Sequence, residues 1–383
     1  MRILFTSTAG LGHVHPLFPL MHAARAAGDE VLVAIPGDGE AAVRNLGFDT
    51  VVTTEPSPEE SAAFWAGVTD HPEPNTYVIG DWFGRLRVSA GLGTLRDIVA
   101  TFEPDMVVSE AAEFAGPLAA EAAGIAHVTV GVAAMDMAGF TPQPLIDNMN
   151  AFRTTLGLDA TDEVPWRHRT RFVTAVPSLL WNSPGGVPDG TVFYRHQDAE
   201  SARPTEAARL RPATSPRRVY ASLGTVAGGF EFAARLYAPV LAALGQVDAD
   251  VLFTIGGLDP TILGTLPANV KVERYMPNEV AMACDAVVTH AGCGTTVAAL
   301  SRGLPMVAVP LFGDQPHNAA KIAESGAGIS LEVPHGIGDL PAAVAAVLDD
   351  PAYAAAARRI AADLAKLPSA TDVLAQLRPV TVH

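Results

Sequence analysis

Three polar side chains in the C-terminal part of the sequence stand where an α/β protein binds its ligands. His290 follows the apolar run 286–289, and Asp314 and Gln315 follow a second apolar run at 306–311. If both runs are parallel strands, the three side chains lie beyond their carboxyl ends and converge on one bound molecule. The alternative is a turn with ordinary capping residues, but the set taken together favours a ligand site.

A glycine turn between the two runs predicts what kind of group binds there. Gly292 and Gly294 let the backbone bend closely around a ligand, because glycine tolerates conformations that other residues avoid. Thr295 and Thr296 then open a helix whose first N–H groups lack intrahelical partners and face the same place. Such N–H groups favour negative charge, so this turn is a predicted anion site.

The N-terminus begins like a nucleotide-binding fold but lacks a dinucleotide fingerprint. Residues 2–8 predict a strand, which AGLGHVHP and a helix follow. Gly10 and Gly12 begin a G-x-G pattern, but His15 stands where the third glycine would be. The second strand, 30–35, also lacks the acidic residue that would bind an adenosine ribose. We therefore expect no nicotinamide or flavin cofactor.

Composition and charge exclude several classes of protein. A net charge of -16 leaves no basic face for nucleic acid. No apolar run reaches the ~20 residues of a membrane span, and the N-terminus does not look like a cleavable signal, so we expect a cytoplasmic protein. Cys284 and Cys293 do not indicate a disulfide framework.

The basic residues suggest the kind of genome that encodes the protein. Only three of the 25 are lysines, namely Lys271, Lys321 and Lys366. With the abundant Ala, this suggests a high-GC genome such as that of an actinobacterium.

The C-terminal motifs are similar to a known signature. HAGCGTT is followed by Gly303, Pro305 and Pro310, and then by GDQ and Asn318. This series resembles the nucleotide-sugar signature near the C-terminus of family 1 glycosyltransferases, the plant and bacterial enzymes that glycosylate natural products. The resemblance implies the GT-B architecture, in which two Rossmann-like, doubly wound α/β domains face each other across a cleft.

The resemblance assigns the nucleotide-sugar donor to residues of the second domain. In the family, the histidine and the following backbone amides hold the diphosphate, and the Asp–Gln pair hydrogen-bonds the sugar hydroxyls. The loop SLGTVAGG, after a predicted strand at 218–222, resembles the family's other phosphate contacts. The implied donor-binding residues are Ser222, Gly224, Thr225, His290, Gly292, Gly294, Thr295, Asp314 and Gln315.

The nucleotide base is assigned to a motif that departs from the family pattern. This chain has YMPN where WxPQ is more typical. By resemblance, Tyr275 would stack on the base and Asn278 would contact its edge. The departure leaves open whether the base is thymine or uracil.

A second resemblance, in the N-terminal part, assigns the catalytic base. GHVHP is similar to a motif of the same enzymes in which the histidine three places before the proline is the general base. That histidine is His13, whose ordinary pKa of ~6.5 suits removal of a hydroxyl proton near neutral pH. His15 is a second candidate. The family places a carboxylate, usually Asp, at the end of the fourth strand to orient the base, and Glu110 stands there. Glu113 is an alternative partner, and a solvated strand end without a catalytic role is another reading.

The acceptor pocket is assigned to two segments, of which the first is variable in the family and lines the pocket there. Aromatic residues are concentrated between residues 64 and 83, and methionines and a phenylalanine surround a proline-broken stretch near 135–149. Packing of helices against the sheet explains these residues equally well, whereas thioethers and rings could also form an adaptable apolar wall. The acceptor-binding candidates are Trp65, Trp82, Phe83, Met135 and Phe140.

An acidic pair offers a competing signal for a metal-dependent enzyme. Asp248 and Asp250 form a D-x-D motif, which in another class of glycosyltransferases binds a divalent metal and the donor diphosphate. Here the pair precedes a predicted strand, at its amino end and away from the predicted site, so a polar turn is favoured. We expect no metal site.

The length of 383 residues exceeds what one core normally supports, so we expect two domains. We assign residues 1–205 to an acceptor-binding Rossmann-like domain, 206–217 to a linker rich in Pro, Ala and charge, and 218–365 to a nucleotide-sugar-binding domain. Residues 366–383 contain the last helix, which in this fold crosses back to the first domain.

The sequence therefore predicts an inverting, metal-independent glycosyltransferase. It would move a sugar from a dTDP- or UDP-sugar to a hydroxyl of a hydrophobic natural product, as in antibiotic biosynthesis. Two other functions stay open: a non-hydrolysing nucleotide-sugar 2-epimerase, which needs no acceptor pocket, and a non-catalytic auxiliary protein, which should lack the base and the donor motif. The expected partners are the nucleotide sugar and a small hydrophobic acceptor, and a homodimer is left open.

Overall fold

The polypeptide divides into two compact units. The first comprises Met1–Ala175, Trp181–Tyr194 and Pro368–His383, and the second Val176–Leu180 and Arg195–Leu367. A computed structural model describes residues 1–8, 10–68, 71–133, 142–162, 171–181, 187–196, 216–225 and 227–378. Most of the predicted linker at 206–217 lies outside these residues.

The described part of the first unit contains a seven-stranded parallel sheet. Its strands are β1 (Arg2–Thr6), β2 (Glu30–Ile35), β3 (Asp49–Val52), β4 (Met106–Glu110), β5 (Ala126–Gly131), β6 (Arg171–Thr174) and β7 (Val192–Phe193). Their spatial order is β3-β2-β1-β4-β5-β6-β7. The central strands β1 and β4 are almost wholly buried, which explains why their sequences are nearly continuous apolar runs.

Helices cover this sheet. They are α1 (Leu11–Val14), α2 (Phe18–Ala26), α3 (Gly37–Arg44), α4 (Pro58–Val68), α5 (Pro74–Tyr77), a π-helix (Val78–Arg87), α6 (Val88–Phe102), α7 (Ala115–Ala123) and α8 (Gln143–Thr155), with a short 3-10 helix at His15–Leu17. A further 3-10 helix, Ser178–Leu180, is part of the second unit. Two separate apolar clusters result, one built around α2 and the other around α6 and α7.

The described part of the second unit contains a six-stranded parallel sheet. Its strands are β8 (Arg218–Ser222), β9 (Asp250–Thr254), β10 (Val270–Glu273), β11 (Ala286–Thr289), β12 (Met306–Ala308) and β13 (Gly328–Ser330), in the spatial order β10-β9-β8-β11-β12-β13. Strand β12 is shorter than the predicted run at 306–311. Pro310 follows two residues after its end and has no N–H group to donate to a ladder.

The helices of the second unit are α9 (Glu231–Leu244), α10 (Asn278–Ala281), α11 (Cys293–Arg302), α12 (Gln315–Glu324), α13 (Leu340–Asp349) and α14 (Pro351–Leu364), with 3-10 helices at Ala227–Gly229, Pro260–Leu263 and His335–Asp339. Apolar side chains of α9 and α13 pack with those of β8, β9 and β11 in one core. The predicted doubly wound α/β fold is confirmed in both units.

The final helix, α15 (Ala370–Leu377), packs on the first unit. A capping box between Ser369 and Asp372 begins it, and its residues Val373 and Leu374 are buried in the α2 cluster. Beyond it, Arg378 pairs with the buried carboxylate of Asp29, which also binds the N-terminal ammonium group at 2.9 Å. Asp29 therefore holds both the N-terminus and Arg378, the residue that follows α15.

Strand order reverses once in each sheet, and these reversals decide where ligands can bind. In the first sheet the reversal lies between β1 and β4, and in the second between β8 and β11. Connections leave such neighbours in opposite directions, so a crevice opens at their carboxyl ends. Within the described ranges, no helix is both long and apolar enough to cross a membrane.

Candidate active site

The crevice of the first sheet brings together His13 and Glu110. His13 lies on the short helix α1 after β1, and Glu110 is the last residue of β4. The Nδ1 atom of His13 is 3.1 Å from Oε1 of Glu110, with the His13 side chain 29% exposed and Glu110 fully buried. The longer side chain of Glu110, compared with Asp, does not prevent this contact.

Three further donors hold the Glu110 carboxylate in place. Thr8 donates to Oε1 from its hydroxyl at 2.7 Å and from its backbone N–H at 3.2 Å, and the N–H of Ala112 donates to Oε2 at 2.7 Å. Burial by itself would raise the pKa of Glu110, but the facing His13 and these hydrogen bonds outweigh burial and lower it. Glu110 is therefore an anion at neutral pH.

An anionic Glu110 beside Nδ1 sets the tautomer of His13. A carboxylate anion 3.1 Å away favours the proton on Nδ1, which leaves the basic lone pair on Nε2. The same carboxylate stabilises the imidazolium that forms when Nε2 takes up a proton. This arrangement can act as a general base.

Glu113 is a second buried carboxylate in the same turn. Its Oε2 accepts a hydrogen bond from the Thr6 hydroxyl at 2.5 Å, and its oxygens accept from the N–H groups of Ala115 and Gly116 at the start of α7. Burial raises the pKa of Glu113 to about 7, and the nearby charge of Glu110 acts in the same direction. At residue 116 a Cβ would overlap Glu113 and lie 2.5 Å from Thr6 Oγ1, which requires glycine there.

The competing base candidate, His15, has a packing contact. Its ring lies against that of Phe18, with centroids 5.0 Å apart, at the start of the 3-10 helix His15–Leu17. This contact gives His15 a structural role at the start of α2, and His13 has the carboxylate of Glu110 beside its ring.

The predicted acceptor residues of the first segment lie in and around the π-helix. The ring of Phe83 is 5.7 Å from that of His13. Trp65 and Trp82 instead join an aromatic cluster with Phe64 and Tyr77, in which neighbouring centroids are 4.7 to 5.3 Å apart. Of the three predicted residues, Phe83 lies beside His13, and Trp82, only 6% exposed, is buried in the aromatic cluster. Met135 and Phe140 lie outside the described residues.

The π-helix is packed tightly on α8. A Cβ at Gly84 would lie 2.5 Å from the side chain of Leu145, and one at Gly80 would lie 2.9 Å from that of Pro144. The amide of Asn148 also donates a hydrogen bond to the Gly80 carbonyl at 3.0 Å. The two glycines thus allow the close approach that fixes the segment carrying Phe83.

The crevice of the second sheet contains His290, enclosed by glycines. His290 follows β11, and its backbone N–H donates to the carbonyl of Ser222 at 3.1 Å, which ties the ends of β8 and β11 together. A Cβ at Gly224 would lie 2.7 Å from His290 Nε2, and a Cβ at Gly292 would overlap the same atom. Both glycines are therefore required by the imidazole itself.

Burial lowers the pKa of His290 to about 4, although the carbonyl of Ser222 acts in the opposite direction. The ring is therefore neutral at physiological pH. A neutral imidazole can still donate one N–H hydrogen bond, so His290 would meet an anionic ligand as a hydrogen-bond donor and not as a cation.

The N-terminus of α11 faces the same crevice. Gly292 is its N-cap, and the N–H groups of the first turn, which includes Gly294 and Thr295, have no acceptor within the helix. Ser222 lies opposite, where its hydroxyl accepts from the Gly224 N–H at 3.2 Å, and Thr225 is exposed in the same loop. A ten-residue helix aimed at this loop supplies the partial positive charge that an anion requires.

The predicted base-binding residues lie at the end of the neighbouring strand. Tyr275 is in the loop after β10 and is 52% exposed. Asn278 begins α10, directly after the N-cap Pro277.

Asp314 and Gln315 follow β12, as the sequence predicts, and stand at the start of α12, where Gln315 has a further partner. Its Oε1 atom accepts from the N–H groups of Leu311 and Phe312 at 2.8 and 3.0 Å. The NH2 group of Gln315 is thus the part of this side chain suited to a sugar hydroxyl. Asp314 accepts a hydrogen bond from the amide of Asn318 at 2.8 Å.

Two supporting residues have no role in the sequence-based site. Thr8, which holds Glu110, is recognisable only as the second residue after β1, so nothing in its type or spacing indicates the contact. Asn318 belongs to the signature and lies four residues after Asp314, the spacing that places two side chains on one helix face. That spacing could have identified the Asp314–Asn318 pair.

Metal ligands are not grouped in the described part of the chain, where no cluster of three His, Cys, Asp or Glu side chains could hold an ion. Asp250 begins β9, so the D-x-D pair lies at the amino end of that strand, opposite the crevice. Both cysteines are free thiols.

Comparisons with known proteins bear on the family and the fold of the chain. Residues 238–380 match the family model of the erythromycin biosynthesis protein CIII-like C-terminal domain. The chain is 32% identical to the elloramycin glycosyltransferase ElmGT of Streptomyces olivaceus, over 98% of this chain and 97% of that protein. The structure is similar to that of the glycosyltransferase SnogD from Streptomyces nogalater, with 26% identity, a TM-score of 0.75 and 98% of each chain covered. The fold also matches that of the glycosyltransferase VinC in complex with dTDP, with 24% identity, a TM-score of 0.77 and 98% of each chain covered.

Identity above 30% over nearly the whole length of both chains, together with the two doubly wound sheets, establishes the relationship. The chain belongs to the GT-B glycosyltransferases of bacterial natural-product biosynthesis.

Proposed function

We propose that this glycosyltransferase moves a sugar from a dTDP- or UDP-sugar to a hydroxyl group of a hydrophobic natural product, with inversion and without a metal. The observation that carries the proposal is the contact between His13 and the buried Glu110 at the strand reversal of the first sheet. A base held in this way can activate an acceptor hydroxyl, whereas a protein that only binds nucleotide sugars has no use for it.

Transfer begins with the acceptor. His13 Nε2 takes the hydroxyl proton while the oxygen attacks the anomeric carbon of the donor, and Glu110 stabilises the resulting imidazolium. The new C–O bond forms as the bond from the anomeric carbon to the diphosphate oxygen breaks. Attack from the face opposite the leaving group inverts the anomeric configuration.

The leaving nucleoside diphosphate carries away the electron pair of the broken bond. Its charge would be stabilised by the hydroxyls of Ser222, Thr225 and Thr295, by the N–H group of neutral His290 and by the N-terminus of α11. These dipoles are fixed before the reaction, so they need little reorganisation as charge develops. A preorganised set of donors takes the place of a divalent cation, which supports the proposal of metal independence.

Our proposal for the nucleotide base of the donor is based on the exposed side chain of Tyr275 and on the structure of VinC. VinC was crystallised with dTDP, and a flat tyrosine ring would stack equally well on thymine or uracil. We therefore propose a pyrimidine nucleotide. Asn278, at the start of α10, would contact the edge of the base.

The acceptor class follows from the wall beside His13. The ring of Phe83 presents apolar surface next to His13, and the close packing of Gly80 and Gly84 on α8 holds the segment that carries Phe83. A flat, hydrophobic acceptor with one hydroxyl directed at His13 fits this wall. ElmGT, a relative of this chain, is named as an elloramycin glycosyltransferase.

A thermal-shift panel tests the donor half of the proposal. The purified protein is heated with dTDP, UDP, ADP, GDP and NAD, each with excess EDTA. A ligand at ~100 times its Kd stabilises a protein by about 2.7 kcal/mol, which raises the midpoint by several degrees. We expect dTDP or UDP to do so in EDTA. A shift with purine nucleotides alone, or one that requires added Mg²⁺, would contradict the proposal.

A further inference from the structure

Ala291, between His290 and Gly292, has an unusual backbone conformation. Its φ angle is 62°, which is in the left-handed region, and the residue is fully buried. A side chain with a Cβ pays a conformational cost in this region that glycine does not. Neighbouring contacts must therefore hold the turn in place.

Two side chains hold Ala291 from either side. Its N–H group donates to the hydroxyl oxygen of Thr289 at 3.0 Å, and its carbonyl accepts from the Nδ2 atom of Asn318 at 2.9 Å. Asn318 lies on α12, which follows a different strand from the one that leads into the turn. The turn before α11 is thus anchored by a residue of the next helix.

The same Asn318 amide also reaches Asp314. Nδ2 donates to Asp314 Oδ2 at 2.8 Å, and the Asn318 side chain is fully buried. A carbonyl oxygen and a carboxylate oxygen can only accept, so the NH2 group must be the end of the amide that faces both. One NH2 group therefore joins the turn beside His290 to the carboxylate at the start of α12.

We propose that Asn318 is a positioning residue that couples the two halves of the donor site. It holds Ala291 in the left-handed conformation that directs His290 and the α11 N-terminus at the diphosphate, and it fixes Asp314 for the sugar. The inference rests on the proposed donor function, because the diphosphate and sugar roles belong to that proposal.

Loss of Asn318 should differ in kind from loss of either partner. Asp314 would touch only the sugar, so its removal should spare binding of a bare nucleoside diphosphate. Removing Asn318 frees the Ala291 carbonyl and lets the turn leave its strained conformation. Binding of the bare nucleoside diphosphate is then weakened as well. Titration calorimetry with dTDP alone therefore detects the positioning role.

The matched control is Asn269, another amide in the same unit. Its Nδ2 donates to the carbonyls of Leu244, Val247 and Ala249 at 3.0 to 3.1 Å, next to the amino ends of β9 and β10 and away from the crevice. Asn318→Ala should raise the Kd for dTDP about tenfold, which corresponds to a loss of about 1.4 kcal/mol in binding free energy. Asn269→Ala removes a comparable set of hydrogen bonds but should leave the dTDP affinity within about twofold of wild type.

A second substitution separates the conformational role from general damage. Glycine at residue 291 adopts the left-handed region without the cost that alanine has. The double variant Ala291→Gly with Asn318→Ala should therefore recover dTDP affinity to within about threefold of the Ala291→Gly protein. A structural defect elsewhere in α12 would not respond to a change at residue 291.

The outcomes are distinguishable. If wild type binds dTDP or UDP and Asn318→Ala binds it equally well, the positioning role is wrong while the donor proposal stands. Absence of rescue by Ala291→Gly would also overturn it. If Asn318→Ala does not fold, Asn318→Leu fills the space without an NH2 group and should show the same loss and the same rescue. If wild type binds neither nucleotide, the donor proposal itself fails.

Discussion

Glu110 Oε1 lies 3.1 Å from Nδ1 of His13, although Glu is one methylene longer than the aspartate that the family usually has at this position. The extra length is accommodated because Thr8 and the Ala112 N–H group bind the carboxylate at the end of β4. Glu110 and its donors form a fixed anionic support for the base.

Removing only the charge of this support should reduce transfer. Glu110→Gln keeps the shape of the side chain but loses a charge-assisted hydrogen bond, which is worth about 1.5 to 3 kcal/mol. We expect kcat/KM to fall about ten- to hundredfold, chiefly in kcat, with donor affinity unchanged. The control is Glu30→Gln, because Glu30 is an exposed carboxylate at the amino end of β2. Equal activity of Glu110→Gln and wild type across the whole pH range would show that the pair has no catalytic role.

The second carboxylate, Glu113, should make stability depend on pH in the opposite direction from an ordinary salt bridge. Burial raises its pKa from 4.5 to about 7, so the folded protein holds this proton more tightly than the unfolded chain. The stabilisation is complete below pH ~4.5 and is lost as the pH rises through about 7.

Glu113→Gln replaces the protonated form permanently and therefore tests this directly. Its Nε2 can donate to Thr6 Oγ1, and its Oε1 can accept from the first N–H groups of α7. We expect the variant to gain in thermal midpoint relative to wild type at pH 8 and to show less gain at pH 5. A relative gain that does not increase from pH 5 to pH 8 would mean that folding does not raise the pKa of Glu113.

The neutral state of His290 predicts how donor binding depends on pH. Because burial lowers the pKa of His290 to about 4, its N–H group is available at every pH above about 5. Affinity for dTDP-glucose, whose diphosphate does not titrate near neutrality, should be constant between pH ~5.5 and ~8.5. Calorimetry over this range measures it. A loss of affinity centred near pH 6.5 in wild type, absent from His290→Gln, would indicate that His290 binds as a cation.

Asp314 and His290 should be separable by ligand. Asp314→Ala removes the charged partner of a sugar hydroxyl, a loss of about 1.5 to 3 kcal/mol in the nucleotide sugar. His290→Ala should lower the affinity for dTDP and for dTDP-glucose alike, because the His290 side chain would contact the diphosphate, which both ligands have. Each variant is titrated with both ligands. If Asp314→Ala weakens bare dTDP as much as His290→Ala does, the sugar role of Asp314 is mistaken.

Much of the site could be predicted because local signals locate strand ends. His13, Glu110, Ser222 and His290 each end or follow a short β-branched or aliphatic run. Parallel strands bring their carboxyl ends to the same edge of a sheet, here His13 and Glu110 in the first sheet and Ser222 and His290 in the second. The runs are buried on both faces, which makes their apolar character conspicuous in sequence.

The supporting contacts could not be predicted because they join residues that are distant along the chain. Asn318 reaches Ala291 across two elements, and Phe83 meets His13 through a π-helix whose register no periodicity indicates. The resemblance assigns Gln315 a hydrogen bond to the sugar, but it does not indicate that the side-chain oxygen accepts from the loop just before it. Such choices depend on which backbone N–H groups the tertiary fold leaves without partners.

The measurement that tests the account most directly is sugar transfer by His13→Ala, compared with its binding of dTDP. Wild type and variant are incubated with dTDP-glucose, a panel of flat phenolic acceptors and excess EDTA, and glycoside and dTDP are quantified by chromatography. We expect wild type to release the two products one to one without metal. The variant should lose at least about a hundredfold in rate, as expected for removal of a general base, while its Kd for dTDP stays within about twofold of wild type. Transfer by His13→Ala within about threefold of wild type would contradict the central claim.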